Sequence, residues 1–206
     1  MDGIRDITDG AALRSHFGEA SVMVQKKQLA HLDPHCRAFI GLSPFCVLAT
    51  TDGQGNVDAS PRGDAPGFVK IIDDTTLLLP DRPGNRRIDS YRNVVAHPGV
   101  GLLFMVPGIG ETVRVNGNAR VVVDEMLLSE VPAQGKVPAT GLLITVTEAF
   151  YHCAKAIIRS KLWDAETKVE RKSFPTLGKI IADQVGGLKA EDADAGIEEA
   201  YRSKLY

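Results

Sequence analysis

Phe45-Cys46-Val47-Leu48-Ala49-Thr50-Thr51, then Asp52-Gly53-Gln54-Gly55-Asn56, then Val57-Asp58-Ala59-Ser60 is the stretch on which the fold turns. The first seven residues are apolar and β-prone. The next five supply the Gly and Asn that a tight turn with positive φ needs, and the last four begin a partner strand. Together they read as an antiparallel hairpin. Ser60-Pro61-Arg62-Gly63-Asp64-Ala65-Pro66-Gly67 follows directly. Proline offers no N–H to a ladder and is confined to edges and bulges, so the partner strand is expected to break here and leave an opening in the sheet.

The same texture continues downstream. Phe68 to Ile72 and Thr75 to Leu79 form a second hairpin around Asp73-Asp74. Gly99 to Val106 is a wholly apolar run that reads as a central strand. Glu111 to Val123 alternates Val113 and Val115 with Thr112, Arg114 and Asn116, and Gly117 interrupts the alternation as a bulge or bend would. Leu142 to Tyr151 alternates again. Six or seven strands arranged as hairpins and meanders predict a mainly β fold, an antiparallel barrel with flanking helices. A parallel α/β sheet fits worse, because strands and helices do not alternate and no G-x-G-x-x-G follows a first strand.

Helices flank this core. Thr8 or Asp9 caps a short helix through Phe17; Ser21 to Leu32 is a second, with Val22, Gln25, Leu29 and Leu32 on one face; Asp33-Pro34 opens a third that ends near Gly41. Further helices are expected at Arg86 to Ala96, Asp124 to Val131, His152 to Leu162, Leu177 to Val185 and Asp192 to Tyr206. The division that results is a helical segment at 1–42 packed on the barrel, the barrel domain at 43–163, and a helical extension at 164–206.

Composition narrows the function classes. Hydrophobic residues make up 44% of the 206 and charged residues 24%, with a net charge of −2. No global basic field exists to attract nucleic acid. Cys36, Cys46 and Cys153 are widely spaced, form no C-x-x-C pair, and predict reduced thiols and no metal site. The polar start and the lack of a long apolar run predict a cytoplasmic protein without a membrane span. His16, His31 and His35 are scattered and read as surface or boundary residues.

Three polar clusters stand at strand ends: Ser60-Pro61-Arg62-Gly63-Asp64; Leu79-Pro80-Asp81-Arg82-Pro83-Gly84-Asn85-Arg86-Arg87; and Glu111-Thr112-Val113-Arg114. Arg86 and Arg87 fall on the expected first helical turn, where the dipole disfavours cations and favours anions. Either an anion belongs there, or the arginines pair with Asp81 and Asp89 on a solvated turn. Lys155, Arg159 and Trp163, spaced i, i+4 and i+8, share a helix face that either stacks a ring and pairs a phosphate or is a solvated stripe. No G-x-S-x-G, H-E-x-x-H or P-loop is present. A site rich in Arg, Ser and Thr suits a phosphorylated cofactor that carries its own reactivity.

In this order the features resemble those of the pyridoxamine 5′-phosphate oxidase-like, FMN-binding split-barrel proteins. The resemblance rests on Phe45 to Thr51, Ser60 to Asp64, Leu79 to Arg87 with Asn93-x-x-x-His97-Pro98 behind it, Val100 to Phe104, and Glu111 to Ala119. It implies an FMN-binding split barrel with a Greek-key-like antiparallel sheet, a homodimer with its site between the subunits, and FMN-dependent oxidoreduction of a small-molecule substrate. Asn85, Arg86 and Arg87 match the family's phosphate-binding triplet. Ser60, Pro61, Arg62, Gly63 and Asp64 match its flavin and ribityl strand, and Thr112 replaces an amide side chain ahead of Arg114. With Asp81, Arg82, Lys155, Arg159 and Trp163 these complete the expected cofactor site, in which Arg62 and Lys155 tune the ring. No catalytic residue is singled out. The oxidase's C-terminal Trp followed by Arg-Leu-x-Pro is absent, and Arg159-Ser160-Lys161-Leu162-Trp163 stands in its stead, which argues against pyridoxamine phosphate as substrate. The alternative is a flavin- or haem-binding protein without turnover, with His152 as a haem ligand; binding of single-stranded nucleic acid is disfavoured by the acidic balance.

Overall fold

A computed structural model describes residues 4–206. Seven strands form one fully antiparallel sheet: β1 (Phe45–Thr51), β2 (Val57–Gly63), β3 (Lys70–Asp73), β4 (Thr76–Pro80), β5 (Gly99–Met105), β6 (Thr112–Val122) and β7 (Gly141–His152). Their spatial order is β2-β1-β5-β6-β7-β4-β3. The fold is the antiparallel split barrel that the sequence predicts.

Register follows from burial on one face. Cys46, Leu48 and Thr50 of β1 lie opposite Phe104, Leu102 and Val100 of β5, and all six are buried. Val113 and Val115 carry the same row into β6. A slip of one residue would turn this entire set to the other side, so the pattern holds the register. Gly117 marks the predicted bulge: the β6–β7 register shifts between Asn116 and Gly117. A Cβ there would lie 2.2 Å from the Thr145 carbonyl oxygen, so only glycine lets the two backbones approach.

Several of the helices are shorter than the sequence periodicity suggests. α1 (Gly10–Phe17) starts behind Asp9, whose carboxylate accepts from Ala12 N–H at 2.8 Å. α2 covers only Val22–Lys26. The expected continuation to Leu32 is lost because Leu29 exchanges backbone hydrogen bonds with Ala149 of β7, at 3.0 and 2.7 Å, and an extended bridge and a helix exclude each other. α3 (Pro34–Leu42) has Asp33 as its cap and buries Cys36, Phe39 and Ile40. α4 is Asp89–Ala96 and α5 only Glu125–Leu128. α6 is Lys155–Ser160, ending where Lys161 turns left-handed. α7 (Leu177–Val185) and α8 (Ala190–Ser203) close the chain. No described helix is long and apolar enough to cross a membrane.

β2 also departs from expectation. It runs through Ser60 and Pro61 to Gly63 without a break. As an edge strand it hydrogen-bonds on one side only, so the missing N–H of Pro61 interrupts nothing. The opening lies beside β2, on its unpaired flank.

Gly117→Ala is expected to destabilise the protein by about 3 kcal/mol, at the upper end for overpacking. Gly10→Ala, with nothing within 4 Å, serves as the control. Denaturant midpoints of the two variants check this.

Candidate functional site

Asp58, Ser60 and Arg62 alternate along β2 and so share one face. Opposite them on β1 stand Thr50, Leu48 and Cys46, all buried. The edge strand therefore turns a polar row toward the interior, and α4 lies over it. Asn93 of α4 donates to Thr50 Oγ1 at 2.9 Å, and Ser90 of α4 joins the row directly. Ser90 Oγ donates to Asp58 Oδ2 at 2.8 Å and accepts from Arg62 Nη2 at 3.1 Å. Arg62 Nη1 reaches Ser60 Oγ at 3.1 Å, and the two serine oxygens stand 3.0 Å apart. A hydroxyl has one proton. With Ser90 spending its proton on Asp58, the Ser60 hydroxyl is left to donate either to Ser90 Oγ or to Asp58 Oδ2, the latter at 3.3 Å. Arg62 is thus oriented by two hydroxyls and the Pro61 carbonyl, and among the described residues no carboxylate lies within 4.0 Å to neutralise it.

The second cluster faces the first across a groove of about 1400 Å³ that both line. Its conformation differs from the expected helix start. Asn85 Oδ1 accepts from Arg87 N–H at 3.0 Å, which closes a tight turn. Arg86 and Ile88 then take left-handed backbone conformations, φ 59° and 56°. α4 begins only at Asp89, so Arg86 and Arg87 precede the helix rather than occupying its first turn. Arg87 pairs with Asp89 at 2.7 Å in the open, as the bland reading of the sequence held. Arg86 has no acidic partner within 4.0 Å among the described residues. Left-handed backbone costs a β-branched residue such as Ile88 roughly 1–2 kcal/mol, a strain that collects where a loop is held in a functional shape.

Asp64 and Arg82 have another role. Arg82 Nε bonds Asp64 Oδ2 at 2.6 Å, and Nη2 bonds the Val131 carbonyl at 3.2 Å. The carboxylate side chain is only 7% exposed. Burial alone would raise the Asp64 pKa; the hydrogen bonds from Tyr206, Arg82 and Ala65 N–H outweigh it and hold the carboxyl below its ordinary value. The pair is a strut whose charges satisfy each other. Asp81 stands near Tyr91, whose phenol is pushed up by burial and by that carboxylate.

The third cluster does not join the groove in this chain. Arg114 lies opposite Leu103 of β5, which lies opposite Val47 and in turn Pro61. That row faces outward, away from Ser60 and Arg62. Arg114 is paired with Glu148, its Nε at 3.1 Å, and Thr112 shares its face. Lys155 and Arg159 are exposed on α6 and outside the groove lining. Trp163 is off that helix, which ends at Ser160; its Nε1–H donates to the Ile109 carbonyl at 2.9 Å. The shared helical face expected for these three is thus corrected by the left-handed turn at Lys161.

The groove also contains residues that sequence reading passed over. Asp58 was legible, since the i, i+2, i+4 spacing of Asp58, Ser60 and Arg62 is the strand period. Ser90, Lys136 and Tyr206 had no local signal, because tertiary contacts alone bring them in. No group of three or more His, Cys, Asp or Glu side chains that could hold a metal occurs among the described residues.

An antiparallel split barrel with a cationic, hydroxyl-rich groove along its open edge is the class of protein this geometry defines. The sequence profile of pyridoxamine 5′-phosphate oxidase matches residues 32–153, and the chain belongs to that family. Solved structures similar to it include HupZ of Group A Streptococcus (16% identity, TM-score 0.48, covering 58% of this chain and 92% of that one). An FMN-binding protein from Syntrophomonas wolfei is 12% identical at TM-score 0.46, covering 68% and 95%. A protein related to general stress protein 26 from Clostridium acetobutylicum is 12% identical at TM-score 0.45, covering 58% and 86%. No curated protein sequence matches the chain.

Asp64→Asn is expected to lower stability at pH 7 by about 3 kcal/mol, the scale for stripping one partner from a mostly buried ion pair. The Asp64 pKa is depressed on folding, so its contribution is complete above the unfolded value of about 3.9 and fades as pH falls through the folded value. The difference between variant and parent therefore narrows in acid, which denaturant titrations at pH 7 and below 4 will reveal.

Proposed function

We propose that the protein is a homodimeric FMN-binding flavoprotein that acts as an oxidoreductase on a small molecule. One observation carries the reading: Arg62 and Arg86, two cations without acidic partners among the described residues, face one groove beside the Ser60 and Ser90 hydroxyls. Unpaired cations held in place suit a dianionic phosphate, with charge-assisted bonds roughly twice as strong as neutral ones. The residues fit the cofactor. Asn85, Arg86 and Arg87 would hold its phosphate; Ser60, Arg62 and Gly63 would line the ribityl chain and ring; Asp64 and Arg82 would brace the wall. FMN, when bound, would supply hydride transfer to or from the substrate. Arg62, fixed by its hydroxyl partners, would lend positive charge to the ring's polar edge and set how readily it takes electrons.

Dimerisation is supported by the outward face of the sheet. β5 is apolar on both faces, as in strands covered on both sides. Yet Leu103 and Met105, with Phe45, Val47 and Phe150 beside them, stay only half-buried in one chain. A second copy would cover this patch. Thr112, Arg114, Lys155, Arg159 and Trp163 would then serve the site across the subunit boundary.

Arg86→Ala is expected to weaken FMN binding about 10- to 100-fold, the loss of one charge-assisted contact. Riboflavin, which lacks the phosphate, should bind parent and variant alike. Titration followed by flavin fluorescence quenching checks both, and a protein that quenches no FMN sinks the reading. Bound flavin that neither NADH nor NADPH bleaches would leave binding without turnover. Leu103→Glu should shift the sedimenting species from dimer to monomer; an unchanged mass would place the interface elsewhere.

A further inference from the structure

From Leu177 onward the described chain touches the barrel with polar groups at one point. Among the described residues, the only hydrogen bonds joining α7 or α8 and the segment after them to the barrel domain are at Tyr206. Its hydroxyl donates to Asp64 Oδ1 at 2.7 Å, and its carbonyl accepts from Lys136 Nζ at 2.8 Å. The two helices otherwise hold each other. The Asp194 carboxylate on α8 accepts from Thr176 Oγ1 at 2.6 Å and from Gly178 N–H at 2.8 Å. Gly178 makes room for it, since a Cβ there would lie 2.4 Å from that carboxylate. The hairpin is therefore a self-contained body on a single polar attachment.

That attachment sits at the groove. Ser203, Lys204 and Tyr206 line it, and Tyr206 binds the same Asp64 that holds Arg82 and the loop beyond it. The hydroxyl's proton is firmly engaged: the hydrogen bond to Asp64 raises the phenol above its ordinary pKa. We propose that the α7–α8 hairpin is a strap latched across the groove by the Tyr206–Asp64 hydrogen bond, and that its release controls the entry and exit of the groove's anionic cofactor. The gating claim rests on the FMN reading; the latch itself does not. Elements with few barrel contacts and one polar anchor belong to the readily opened part of a structure.

Tyr206→Phe keeps the ring and removes only the donor. In the flavin-free full chain, amide hydrogen exchange over residues 190–206 and 82–89 should quicken about tenfold, the factor for one lost hydrogen bond to a charged group. FMN release, followed by recovery of free-flavin fluorescence after dilution, should quicken by a similar factor. Tyr201→Phe, on the same helix with its side chain outward and no hydrogen bond of its own, should match the parent in both. Unchanged exchange in Tyr206→Phe overturns the latch. Quickened exchange with unchanged FMN release overturns its gating role. A parent that takes up no FMN overturns the flavin reading and the gating claim with it, and the latch is then decided by the exchange rates.

Discussion

One ion pair holds the open barrel together where its sheet does not. Asp64 lies just beyond β2, at one edge of the seven-strand order, and Arg82 just beyond β4, one strand from the other edge. No ladder hydrogen bond joins those edges. The Arg82 guanidinium reaches across, taking Asp64 with Nε and the Val131 carbonyl with Nη2. With both side chains shielded from water, the pair is screened little by salt, and each charge depends on the other to offset its desolvation. The position of the arginine-rich loop beyond Arg82, and hence the width of the groove, follows from this link.

A second constraint acts on β2. An edge strand with an apolar inner face would have needed a full hydrophobic cover; this one carries Asp58, Ser60 and Arg62 inward instead. Such a row is tolerable only when fully bonded. Ser90 at the start of α4 supplies the missing partner, and among the described residues no buried side-chain nitrogen or oxygen lacks one. The cover helix and the polar row thus specify each other. Because hydroxyls rather than carboxylates meet Arg62, the guanidinium is fixed in direction while its charge stays available.

The sheet was largely legible in the sequence for a physical reason: period-two burial writes itself into Cys46, Leu48 and Thr50 and again into Val113 and Val115. Gly117 announced the bulge because a Cβ at that position would lie 2.2 Å from the Thr145 carbonyl oxygen, which leaves no alternative residue. Helix lengths were less legible. Leu29 has helical spacing, but its backbone bonds to Ala149, a partner 120 positions away in sequence, and the local pattern had no access to that competition. The Arg86–Arg87 turn was legible as a cationic element and misread in its geometry. Its left-handed residues are not glycines, so nothing in the local residue types signalled them. Pro61 signalled an edge correctly, and the inference of a break failed because an edge strand has a free side on which a missing N–H costs nothing.

Net charge says little about such a site. The chain carries −2 overall, yet among the described residues neither Arg62 nor Arg86 in the groove has a carboxylate within 4.0 Å. Screening confines exposed charges to a reach of about 8 Å in physiological salt, so an anion in the groove responds to those two cations and the oriented hydroxyls far more than to acids elsewhere. Arg87, a single position away, is already occupied by Asp89. The difference between the two arginines is one of backbone: the left-handed turn at Arg86 separates it from the acid that its neighbour reaches. The left-handed conformations at Arg86 and Ile88 keep Arg86 out of the i, i+3 relation to Asp89 that a helical turn would have given it.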